Sequence, residues 1–200
     1  MYNTFAEYNR FTNIPNFSIN IINYLIDNNE TIWKLLKYPG NDALNQINLT
    51  MDEKTDLIYS GINNIEDITN YQKKEQDYRI FTKGMSSDAI ENKCSQLHIF
   101  LGELSPQNRV TGQAIMYIQI ISHNAILTLN NCLNRNEIFL QQIISTLNGA
   151  TIKGRTQLSF NKENGYSNRA KWYKFAEKWY EGYQLTMSCM ISDTNKNAGE

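Results

Sequence analysis

Cys94 and His98 stand four residues apart, a spacing that puts two metal ligands on one face when the segment is helical. The same two residues also read as the lead-in and first residues of a strand. A metal site would need Cys132, His123 and Cys189 to converge with them from distant points of the chain. A Cys–His nucleophile pair is equally unconstrained, because any of three cysteines can be matched with either histidine. Cys189 falls on the apolar face of an alternating segment and reads as core. His123, after Ser122, reads as a strand-end histidine held by hydrogen bonds. The ten glycines are scattered, so no phosphate-cradling loop is formed. No pair of carboxylates sits in an apolar setting. The expectation is therefore no catalytic residue, no bound metal and no cofactor. An enzyme using Cys and His remains a distant third reading.

One segment does carry recognisable chemistry. From Arg169 to Tyr180, basic residues alternate with aromatics, as in Lys171-Trp172-Tyr173-Lys174-Phe175 and Lys178-Trp179-Tyr180. Such interleaving builds stacking sites for single-stranded nucleic acid. It also fits a short amphipathic helix or loop, with Trp172, Phe175 and Trp179 on one face and lysines snorkelling outward. A third reading is a subunit contact, since Trp, Tyr and Phe are enriched in interface cores.

The bulk properties limit the partners. Nineteen Lys+Arg against twenty Asp+Glu give a net charge of −1, which exerts no long-range pull on nucleic acid or anionic lipid. Three widely spaced cysteines do not make a disulfide framework and read as reduced thiols. No apolar run approaches the roughly 18 residues of a membrane helix, and the polar, aromatic N-terminus is not a signal peptide. The expected location is the compartment of synthesis, or a particle packaged there. Asparagine is abundant, as in Asn28-Asn29, Asn63-Asn64 and Asn130-Asn131, either from an AT-rich genome or for polar contacts between subunits.

The elements that would position these residues follow from periodicity. Residues 1–16 read as an N-terminal arm with Tyr2, Phe5, Tyr8 and Phe11 at spacings of three, cut off by Pro15. The arm docks either on its own domain or on a neighbour. Residues 17–61 read as helical. Ser18 caps a first helix to about Asp27, Thr31 caps a second over Ile32–Lys37, and Pro39-Gly40 ends it. Thr50 and Glu53 form a capping box for a third reaching Leu57, Ile58 and Tyr59, closed by Gly61. Residues 62–93 read as a polar linker with one strand at Tyr78–Phe81.

Residues 94–192 read as a β-β-α-β-β domain. A short strand Leu97–Leu101 ends at Gly102, and Ser105–Asn108 makes a turn. The run Ala114–Leu127 would reach about 46 Å as one strand, over twice the usual length. It must bend at a bulge or extend past its own sheet. Asn134 or Asn136 caps an amphipathic helix through Phe139, Ile143 and Leu147, with Gly149 at C′. Strands follow at Thr156–Phe160 and at Tyr183–Ile191, the latter alternating cleanly. The fold class is α+β: a helical N-terminal segment, then an antiparallel sheet covered by one helix. Residues 193–200 read as a disordered tail.

Taken together, several segments resemble the bacteriophage neck and tail-completion proteins. The resemblance is carried by Ile32–Tyr38 running to Asn41-Asp42-Ala43-Leu44, by Asn48-Leu49-Thr50, Glu53-Lys54 and Leu57-Ile58-Tyr59, then by Cys94–Ile99 and Thr146-Leu147-Asn148-Gly149. It spans about residues 17 to 191 and contains no catalytic fingerprint. The β-β-α-β-β order is similar to the tail-terminator fold. The resemblance implies a homo-oligomeric ring at the head–tail joint of a virion, assembled in the host cytoplasm. Portal or adaptor and tail or other neck proteins would flank the ring, and DNA would pass through without sequence-specific binding. The contact residues expected are Phe5, Tyr8 and Phe11 of the arm, with Trp172 and Trp179. The alternative is a nucleic-acid-binding module using residues 169–180.

Overall fold

A computed structural model of the chain describes residues 14–59, 77–84, 92–107, 111–152, 156–160, 168–175 and 179–192. The arm aromatics Phe5, Tyr8 and Phe11, most of the linker, Gly61 and the tail lie outside the described residues.

The N-terminal helices are α1 (Phe17–Asn28), α2 (Glu30–Lys37) and α3 (Met51–Asp56). Their caps depart from expectation at two places. Asn16, not Ser18, is the N-cap of α1, and Ser18 is buried inside the helix. Asn29, not Thr31, caps α2: its Oδ1 accepts from the Ile32 N–H at 3.0 Å. Its Nδ2 meanwhile donates to Thr146 Oγ1 at 2.7 Å and Gln142 Oε1 at 3.0 Å on a later helix. One short amide thus fixes both a helix start and a helix–helix contact. The Thr50–Glu53 capping box is present, with Thr50 N donating to Glu53 Oε2 at 2.9 Å and Glu53 N to Thr50 Oγ1 at 3.3 Å. That backbone bond draws the Glu53 carboxyl below its usual pKa. The helix stops at Asp56 rather than Tyr59 because Leu57 and Tyr59 turn aside to hydrogen-bond with the chain at Arg79 and Ile80.

Among the described residues the sheet has seven strands: β1 (Ile80–Phe81), β2 (Ser95–Pro106), β3 (Thr111–His123), β4 (Thr151–Ile152), β5 (Thr156–Ser159), β6 (Ala170–Phe175) and β7 (Tyr180–Ser192). Helix α4 (Arg135–Leu147) lies between β3 and β4. The strand order is β1-β2-β3-β7-β5-β4, with β6 pairing the other half of the β7 edge. All pairings are antiparallel except β1 with β2. The class is α+β as expected. The simple β-β-α-β-β order is not what is observed, because β1, β4 and β6 add to it.

The overlong strand resolves differently from either option expected for it. It begins at Thr111 and ends at His123, after which Asn124–Ile126 form a 3-10 turn. The His123 imidazole and the Asn124 N–H→Trp179 carbonyl bond (2.7 Å) stop it there. Strand β3 does not outrun its sheet. Strand β7 is as long and β2 is one residue shorter, and β7 pairs every residue of β3 from Thr111 to His123. The bulge is in β2, where the register shifts between Leu101 and Glu103 and Gly102 is the extra residue.

Period-two alternation then sorts the sheet into two faces. Leu97, Ile99, Ala114, Met116, Ile118, Ile120, Leu185, Met187 and Cys189 face the helices. They share one core with Ile21, Leu25, Ile32, Trp33, Leu36, Phe139, Ile143 and Leu147. The opposite face carries His98, Phe100, Tyr117, Gln119, Gln184 and Tyr173.

Candidate functional site

Where it is described, the basic-aromatic segment is strand and not helix: residues 170–175 are strand β6, which pairs antiparallel with β7, and Tyr180 opens β7. The helical spacing of Trp172, Phe175 and Trp179 has no structural meaning here. The operative period is two, with Trp172 and Lys174 on one face and Lys171 and Tyr173 on the other. Cross-strand pairing to β7 sets it, from Ala170↔Leu185 to Phe175↔Tyr180. Trp172 is 46% exposed and Trp179 64% exposed, both unusual for an indole. Lys174 Nζ lies 5.9 Å from the Trp172 ring centre and Lys171 Nζ 5.2 Å from that of Tyr173. Trp172 and Trp179, expected as contact residues, are thus displayed on β6 and just before β7.

Trp179 also covers His123, stacking at 6.0 Å and 10°. His123 Nδ1 accepts from the Ala125 N–H at 3.0 Å, so the ring is neutral with its proton on Nε2. Burial first, then the positive charge of Lys93, lowers its pKa. The expectation of a strand-end histidine held by hydrogen bonds is met.

The remaining Cys and His residues stay apart. Cys94 precedes β2, and His98 follows four strand positions later, about 13 Å away by the rise per residue. His98 is stacked on Phe81 at 4.8 Å and hydrogen-bonded to the Lys83 carbonyl and Gln96 Oε1. Burial raises the thiol pKa of Cys94, and that of Cys189 to about 12, so neither is a ready thiolate. Cys132 is exposed, at a positive φ of 57° in the turn before α4. No group of three or more potential metal ligands occurs among the described residues.

Sequence reasoning missed the most demanding polar group. Arg135, the first residue of α4, is fully buried. All five of its N–H groups meet carbonyl oxygens: Nε that of Ile126 (2.8 Å), Nη1 those of Leu35 and Tyr38 (2.9 Å each), Nη2 those of Pro39 (3.2 Å) and Gly40 (2.6 Å). Four of these carbonyls belong to the C-terminal end of α2 and the turn after it, where the helix dipole is negative. Burial lowers the guanidinium pKa to about 10, which still leaves it cationic at neutral pH. Of the run Asn134-Arg135-Asn136-Glu137, only a capping asparagine at 134 or 136 was legible, and Asn134 is the cap.

A second polar tie joins the helices: Lys54 Nζ bonds Glu30 Oε2 at 2.7 Å and the Ile26 carbonyl at 3.2 Å, while Glu30 Oε1 accepts from the Leu49 N–H. These groups build architecture, and no acid, base and nucleophile converge among the described residues.

Fold and surface define an α+β protein whose helical layer backs a mixed sheet and whose strand β6 displays tryptophan. The chain belongs to the YomW family, whose model matches residues 29–189. No curated protein and no solved structure matches it. No helix among the described residues is long and apolar enough to cross a membrane.

Proposed function

We propose that this chain is a phage virion structural protein, a ring-forming subunit of the neck or head–tail connection. In this reading it acts as a tail terminator or neck ring protein and not as an enzyme. The observation that carries the reading is the pair of exposed indoles, Trp172 on β6 and Trp179 just before β7. An indole left in water on a sheet edge is a binding group without its partner, because burying it adds roughly 25 cal/mol per Å² of apolar area. The family name is of a phage type, and the segments that resemble neck proteins fall largely inside the matched residues. The partners in this reading are further copies of the chain, a portal or adaptor on one side and tail or neck proteins on the other. DNA passes through the ring without being read.

Size-exclusion chromatography with light scattering, followed by electron microscopy of the purified protein, tests it. Closed rings of uniform size, or the chain located in the neck of particles, are the expected results. A chain that is monomeric when concentrated and absent from particles overturns the proposal.

The second reading, a nucleic-acid-binding module, is favoured by the lysines placed over the Tyr173 and Trp172 rings. The same chromatography with an added single-stranded oligonucleotide separates the two. Binding that weakens steeply with salt and quenches indole fluorescence would favour the module.

A further inference from the structure

The sheet face opposite the core is closed at both ends and open between them. Its side chains fall in rows across β2, β3, β7 and β6, set by the strand register. At one end Gln96 and Ile121 are buried, and at the other Gln113, Ile115 and Ser188 are. Two rows lie between. The first runs His98, Gln119, Gln184, Lys171. The second runs Phe100, Tyr117, Thr186 and then Arg169, whose carbonyl accepts from the Thr186 N–H at 2.8 Å. Of these only His98 is buried, beneath the stacked Phe81 ring. Phe81 and Gly84 wall the band on the β2 side, and a Cβ at Gly84 would lie 3.3 Å from the Phe100 ring. The band spans four strands, about 14 Å. That is the scale on which an open four-stranded sheet stacks two or three bases.

The groups on the band suit a chain of bases and phosphates. Phe100 and Tyr117 are half-buried and meet edge to face at 5.7 Å, so each holds the other's ring. Tyr173 is half-buried on the same face of β6, with Lys171 Nζ 5.2 Å from its ring centre. Burial first, then Glu103, raises the Tyr117 pKa; Arg169 opposes the rise and Tyr173 adds to it, so all of these groups lie around one hydroxyl. Gln184 Oε1 accepts from Gln119 Nε2 at 3.1 Å, which fixes its amide and leaves its own Nε2 without an acceptor among the described residues. Arg169 and Lys171 are exposed cations at the β6 end, and Lys83 lies over the Phe81 ring at 6.0 Å at the other. The acid beside them is Glu103, whose Oε1 accepts from Tyr117 OH at 3.3 Å. In a chain of net charge −1 this face carries a local positive excess. The same rings and amides suit a neutral sugar, and the charge favours a polyanion.

We infer that this band binds single-stranded nucleic acid, with Phe100, Tyr117 and Tyr173 stacking bases, Gln184 donating to a base or phosphate oxygen, and Arg169 and Lys171 holding phosphates. The ligand class is that of the second reading above, on which this inference rests, but the site is the open sheet face. Lys171 and Tyr173 serve it, whereas Trp172 lies on the opposite face of β6. Ring formation is neither needed nor excluded.

Anisotropy titrations of a fluorescein-labelled oligothymidylate with the full-length chain test it, with thermal melts as the fold check. Tyr117→Leu and Tyr173→Leu should each weaken binding about tenfold. Tyr117→Phe keeps the ring and should bind as wild type. Arg169→Gln and Lys171→Gln, at exposed positions, should each make the slope of log K against log salt shallower by about 0.7. Trp172→Ala and Trp179→Ala should leave the affinity unchanged. If the leucine variants melt early, the two charge variants decide. Binding that the tryptophan variants abolish and the band variants leave intact overturns the inference and leaves the module reading standing. Salt slopes unchanged in both charge variants overturn it as well. Capture of maltohexaose through the same tyrosines, without oligothymidylate binding, would make the band a sugar site and overturn it. A chain that binds neither probe overturns this inference and the module reading together.

Discussion

Arg135 shows how one residue can hold a layer together. Its five N–H groups donate to five carbonyls at the place where α2 ends and α4 begins, and of these Gly40 also accepts from the Ala43 N–H. Arg135→Met keeps the volume and removes every donor, leaving buried acceptors unpaired. Urea unfolding should show a loss of about 3–5 kcal/mol. Arg135→Lys should recover little, since an ammonium has three N–H groups and no planar fork. A melting curve unchanged by either substitution would contradict the hub. His123 makes the opposite use of burial. Its ring is needed neutral, because Nδ1 accepts from Ala125, and its folded pKa lies below the ordinary 6.5. Its contribution is complete above pH 6.5. It declines as pH falls from there through the folded pKa, where the native ring must take up a proton it is built to exclude. Tm should therefore drop between about pH 7 and 5. In His123→Asn the side-chain oxygen can still accept from Ala125 and nothing titrates, so the slope in that window should flatten. A wild-type Tm constant across the window would refute the assignment.

At the scale of elements, the edge between β3 and β7 explains a glycine that carries no sequence signal. Gly182 faces Ile121 across that pair, and a Cβ there would run into the Ile120 carbonyl. A backbone atom cannot swing aside, so Gly182→Ala should cost about 1–3 kcal/mol or more and lower the denaturation midpoint. Gly102→Ala meets the Tyr117 ring at 2.5 Å, a half-buried side chain that can shift where a backbone carbonyl cannot, and should cost less. Equal losses would mean that the strands are not held as closely as described. The same contrast shows what was legible beforehand. Elements with their own local signal were read well: the Thr50–Glu53 box, the Phe139–Ile143–Leu147 stripe, Gly149 at φ 81°, and the alternation of β7. Elements defined by a distant partner were not. Strand β6 looks helical because Trp172, Phe175 and Trp179 happen to fall at helical spacing, and only β7 decides between the periods. Strand β3 looked overlong because β2 and β7 were not known to match it. Trp172 and Trp179, expected as contact residues from the interleaving of basic and aromatic residues, are exposed, while the strand pairing beside them depends on sheet order, which no local pattern encodes.

For the whole molecule, the helical segment and the sheet share one core. Ile21, Leu25, Ile32, Trp33 and Leu36 from the N-terminal helices are buried in the same core as Leu97, Ile118, Leu185 and Phe139. Asn29 ties α2 to α4, and the Lys54–Glu30 pair with the Ile26 carbonyl ties α3 to α2 and α1. Removing residues 1–61 would expose the helix-covered face of β2 and β3 and strip Arg135 of four carbonyls at once. The fragment 62–200 is therefore expected to lack a cooperative melting transition, although it retains every strand. The intact chain should unfold in one transition, with the indole signal from Trp33 in the core and the far-ultraviolet signal from the sheet changing together. Deleting residues 1–13 is the contrasting cut, because it leaves all of these contacts in place. If the arm aromatics Phe5, Tyr8 and Phe11 clamp a neighbour, that shorter chain should keep the wild-type Tm and lose ring formation in light scattering. Loss of Tm with the 13-residue deletion would place the arm on its own domain. A fragment 62–200 that melts cooperatively would show that the sheet has a core of its own, and that the helical segment is an appendage.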